Sequence, residues 1–174
     1  MDLCCYTIWG NFPGDLRDLI AHGAKDGWAK SRSWNDLQKC IANELKQQLQ
    51  HTTVLENIPL SRLGVPGSWA EIDIVLGDLL DEKLSGFLIH VSGHKQPRHE
   101  KELLEIMAVS LADRRFKHGI LIVCSDNKLK LEGRATSYAY CSGPLLRLVE
   151  PIMQRCNLLG LLIIGLPSPS QLAH

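Results

Sequence analysis

Two apolar runs joined by a short charged connection, Ala70–Leu76 and Gly86–Val91, constrain this chain more than any other feature. In the first, strict alternation puts Glu71, Asp73 and Val75 on one face and Ile72, Ile74 and Leu76 on the other, because successive strand side chains point to opposite sides. The second assigns Phe87, Ile89 and Val91 to one face and Leu88, His90 and Ser92 to the other, before Gly93-His94-Lys95 leaves the strand. If the two strands pair antiparallel, Asp73 and His90 meet near one end of the sheet.

The remaining segments alternate between helix and strand periods. Asp15–Ala24 carries Leu16, Leu19 and Ile20 at helical spacing with Gly23 as a stop, and Gly27–Arg32 reads as a basic turn. Met1–Gly14 fits an edge strand or a packed loop. A longer helix follows Ser33 as N-cap, with Trp34, Leu37, Ile41, Leu45 and Leu49 three and four residues apart. Glu44, seven residues after Leu37, projects from nearly that face, either into a solvated rim or toward the sheet. Thr52–Ile58 reads as a strand and Gly64–Gly67 as a loop. Arg98–Phe116 is helical, with Leu103, Leu104, Met107, Ala108 and Leu111 as its buried face and Glu105 ambiguous. Ile120–Cys124 and Leu158–Leu166 are continuous apolar runs suited to strands covered on both faces. Between them Pro144 opens a helix reaching about Cys156.

This order describes an α/β fold, a mixed sheet with helices on its faces. The 174 residues suffice for one domain spanning 1–174, with 1–32 as an N-terminal extension packed on it and 170–174 as a mobile tail. Basic and acidic residues number 19 each, so attraction for polyanions must come from a local basic face. The six cysteines show no paired metal or redox spacing and read as free thiols. No apolar run reaches the roughly 18 residues of a membrane span, and the start is not basic. The expectation is a soluble, cytoplasmic protein without membrane contact.

Asp73, with Glu44 reaching over from its helix, is the best candidate pair for a hard divalent cation. His90 suits a softer ion such as manganese, and Lys95 could supply positive charge. The alternative is that Asp73 caps a strand end and His90 is a half-buried polar residue without chemistry. A zinc site at His90, His94 and His99 has irregular spacing. Ser92 lacks a nucleophile elbow and a third orienting acid, and no Gly-rich phosphate loop occurs.

Over roughly Ser33–Pro169 the chain resembles the PD-(D/E)XK nuclease superfamily, within it the BglII/BamHI-like type II restriction endonucleases. The resemblance rests on the order of elements and on Glu71–Val75, Phe87–Lys95, Leu161–Pro167 and the Thr136–Tyr140 piece before a helix. It implies a restriction-endonuclease-like domain that cuts double-stranded DNA as a homodimer with Mg2+ or Mn2+. Asp73 matches the metal-binding acid of the motif and Glu44 the assisting helix acid. His90 stands where the family places its second acid and Ser92 where it places Lys, Glu or Gln. Those departures imply a catalytically altered enzyme with Asp73, His90 and Lys95 as its catalytic set, or a member whose acid has moved to the following helix, at Glu102 or Glu105. They are equally consistent with an inactive DNA-binding or protein-interaction module.

Overall fold

The alternating runs pair as expected, and the rest of the chain is layered around them. A computed structural model describes residues 4–10, 13–30, 34–92, 97–125, 155 and 158–167. In chain order these form β1 (Cys4–Gly10), α1 (Gly14–Lys30), α2 (Trp34–Gln48), β2 (Val54–Pro59), a 3-10 turn (Leu60–Leu63), β3 (Glu71–Leu76), β4 (Gly86–Ser92), α3 (Pro97–Ala112), β5 (Phe116–Ser125) and β6 (Gly160–Pro167). The protein is α/β, and its described strands form one six-stranded mixed sheet in the order β1-β6-β5-β4-β3-β2. The β2–β3 and β3–β4 pairs are antiparallel, β4–β5 and β5–β6 parallel, and β1 closes one edge antiparallel to β6. The segment read as an extension therefore supplies an edge strand. The helix expected from Pro144 lies almost entirely outside the described residues, as do the tail and the Thr136–Tyr140 piece.

The continuous apolar runs of β5 and β6 are covered on both faces. Ile120, Ile122, Leu162 and Ile164 pack with Ile20 and Ala24 of α1 and Leu37, Ile41 and Leu45 of α2. Leu121 and Leu161 pack on the opposite face with Leu103, Ile106, Met107 and Val109 of α3. Each such large side chain contributes about 1.5–3 kcal/mol of burial. Two helix ends differ from expectation. Gly23 does not stop α1, which runs on through Gly27 to Lys30, because both glycines serve close approach to α2. A Cβ at Gly27 would lie 2.9 Å from the Cys40 Cβ, and one at Gly23 3.1 Å from the Glu44 Cγ. At the other end α3 stops at Ala112, since the Asp113 carboxylate accepts the Arg115 N–H (3.1 Å) and turns the chain into β5. Arg115 also donates to the carbonyls of Leu79 (2.8 Å) and Asp81 (3.0 Å), tying down the β3–β4 connection.

Strict alternation fails within β3. Ile72 packs on the α3 face, whereas Ile74 and Leu76 pack on the α2 face. The cause is on the neighbouring strand. Asn57 adopts a left-handed φ of 53°, and the ladder pairs Glu56–Ile74 and Ile58–Ile72 flank it without an Asn57–Asp73 pair between them. Past this kink Ile58 and Ile72 both point to α3. Gln38 of α2 clamps the kink by donating to the Asn57 side-chain oxygen (3.0 Å) and to the Asp73 carbonyl (3.1 Å). Asparagine tolerates this conformation and a β-branched residue does not. We expect Asn57→Val to lower unfolding free energy by about 1–2 kcal/mol and Asn57→Gly to cost less. Urea melts of both variants, with unchanged slope, test the ranking; equal stability of the valine variant and wild type would contradict it.

Candidate functional site

The β3–β4 ladder ends at Ile74–Ile89, and Asp73 and His90 lie one step beyond it. There the Asp73 carboxylate takes over the pairing. Its Oδ2 accepts the Val91 backbone N–H at 2.7 Å and lies 3.3 Å from His90 Nδ1. The other ring nitrogen, Nε2, faces away from β3, and α3 meets it: Glu105 Oε2 is 3.0 Å away. That ring N–H is not aligned for a directed hydrogen bond, so the contact is an ion pair. Lys101, one helical turn before Glu105, lies 3.9 Å from Oε1 and is largely exposed.

His90 is thus a buried ring, 3% exposed, between two carboxylates. Burial opposes its protonation most strongly, but the Asp73 and Glu105 contacts, with the charges of Asp73 and Glu102, together outweigh it and lift its pKa from 6.5 to about 9. At neutral pH it is an imidazolium.

Glu71, Asp73, His90, Lys101, Glu102 and Glu105 supply the polar lining of an open pocket of about 350 Å³. Four carboxylates face one imidazolium and one ammonium, a formal excess of two negative charges. Such an oxygen-rich, electronegative pocket fits a hard divalent cation by charge and donor type. Its donors do not converge as they stand, because the imidazolium separates Asp73 from Glu105. Among the described residues, these three do not bring their ligand atoms within 4.8 Å of one another.

The structure brings together some of the residues singled out in the sequence and separates others. Asp73 and His90 meet as expected. Glu44 does not join them: α2 seats Leu37, Ile41 and Leu45 on the Ile74–Ile89 face, whereas Asp73 and His90 turn toward α3. The sheet stands between, and the Glu44 carboxylate instead approaches His22 of α1 at 4.0 Å. Lys95 and His94 lie outside the described residues, and so do the side chains of Ser92 and His99. The helix acids considered as replacements, Glu102 and Glu105, both reach the pocket. Lys101 was missed. Its signal was the i,i+4 spacing to Glu105, which sits among apolar neighbours at the edge of the buried stripe. No protein-family model matches the chain, and no curated protein is significantly similar to it.

Because the folded pKa of His90 lies above the unfolded value, its protonation stabilises the fold fully below about pH 6.5. That contribution is lost as pH rises through about 9. Its size is roughly 3 kcal/mol. The stability difference between wild type and His90→Gln should therefore shrink between pH 6.5 and 9.5 in chemical denaturation. A pH-independent difference would contradict the charge assignment.

Proposed function

We propose that the chain is a divalent-metal-dependent endonuclease of the restriction-endonuclease type, hydrolysing phosphodiester bonds of double-stranded DNA. In this reading the second acid comes from α3, at Glu105, instead of from β4. The observation that carries it is the Glu105 carboxylate beside His90, the residue that occupies the usual acid position, with Asp73 on the other side of the ring. The run of a helix, three antiparallel strands, a helix and a parallel strand also supports it.

Asp73 and Glu105 would hold a magnesium or manganese ion, with Glu102 adjacent. The ion would supply phosphate polarisation and an activated water. Lys101, at the pocket mouth, is placed to neutralise phosphate charge. His90 orients both acids and holds their charges apart; it is a positioning residue that must yield its proton or its place for the acids to share an ion. The resemblance makes the working unit a homodimer that grips duplex DNA from both halves.

A second reading is an inactive module of the same fold, which binds DNA or protein. It is favoured by the imidazolium itself, which already sets a positive charge between the two acids where a bound cation would sit.

With the endonuclease reading, purified protein nicks supercoiled plasmid in Mn2+ or Mg2+, and Asp73→Asn and Glu105→Gln each lower the rate by about 100-fold. Saturating Mg2+ raises the unfolding temperature by roughly 5–10 °C, and Asp73→Asn abolishes the shift. Absence of both cleavage and thermal shift in either metal would overturn it in favour of the inactive module.

A further inference from the structure

The seam between α1 and α2, on the face of the sheet opposite the acidic pocket, brings together a second set of metal donors. His22 Nδ1 lies 3.6 Å from Asp26 Oδ2, one turn along α1, and 4.0 Å from Glu44 Oε1 on α2. All three donor atoms fall within 4.8 Å of one another. Bonds of 2.0–2.2 Å from one ion to nitrogen and oxygen ligands leave neighbouring donors about 3–4 Å apart, so only small side-chain shifts are needed. The set is not a patch of surface acids: it combines one imidazole with two carboxylates, drawn from two helices.

The packing of the seam sets that spacing. Gly23 stands next to His22, and a Cβ there would come within 3.1 Å of the Glu44 Cγ. Lacking it, α1 lets the Glu44 stem lie directly against its backbone. Glu44 is 23% exposed while His22 is 63% exposed, so the carboxylate is the fixed member and the imidazole the accessible one. Gln48, one turn further along α2, donates to the same Glu44 Oε1 at 3.5 Å and orients it from outside the donor set.

We propose that His22, Asp26 and Glu44 form a surface site for a divalent transition-metal ion of borderline softness, such as nickel or zinc, which clips α1 to α2. Three protein ligands leave the ion's remaining positions to water. An imidazole among the donors favours such ions over magnesium and calcium. The site is independent of the pocket between β3, β4 and α3.

Titration of the full-length chain with NiCl2 by calorimetry tests the proposal. Wild type should bind an ion at this site, and His22→Ala and Glu44→Gln should weaken that binding at least about tenfold. Gly23→Ala should weaken it several-fold, since its methyl displaces the Glu44 stem. Unchanged affinity in His22→Ala and Glu44→Gln would overturn the proposal. Wild-type affinity in Gly23→Ala, or equal displacement of nickel by MgCl2 at matched concentration, would do the same.

Discussion

A buried imidazolium held between a strand carboxylate and a helix carboxylate ties this fold together where its backbone pairing runs out. The β3–β4 ladder stops at Ile74–Ile89, and beyond it the sheet is continued by the Asp73 side chain on the Val91 N–H and the His90 ring. His90 then reaches α3 through Glu105. Removing either acid leaves the buried ring one carboxylate contact instead of two, so its protonated form loses support and this end of the sheet is weakened. The same three groups line the open pocket, so the support of the sheet end and the candidate chemistry share their atoms. Any ion that enters must compete with a proton for the space between the acids.

Much of the fold could be read from apolar periodicity. The β3–β4 hairpin and the helices α2 and α3 follow from runs of clear period, and β5 and β6 from continuous apolar runs of strand length. Where the reading failed, a tertiary contact overrode a local signal. Gly23 looks like a helix stop and is a point of close approach between α1 and α2. Ile72 changes face because Asn57, on another strand, adopts a left-handed conformation that alternation within β3 cannot register.

The candidate site was half visible for the same reason. Asp73 and His90 belong to adjacent strands, and their meeting needs only a hairpin register. Glu44 and Glu105 sit on helices whose apolar stripes look alike, so the stripe does not say which face of the sheet each covers. Alternation in β4 decides it: Leu88 and His90 face α3, and Phe87 and Ile89 face α1 and α2. Glu105 is thereby delivered to the pocket and Glu44 to the seam with His22. The two acids are separated by the sheet, and each meets a histidine of its own.

The state of His90 is the point on which the account turns. Long-range 1H–15N correlation spectra of the imidazole nitrogens at pH 8 measure it directly. Both nitrogens should be protonated in wild type, with titration to the neutral ring only near pH 9. A single neutral tautomer at pH 8, titrating near 6.5 or below, would show that the two carboxylates do not hold a cation between them.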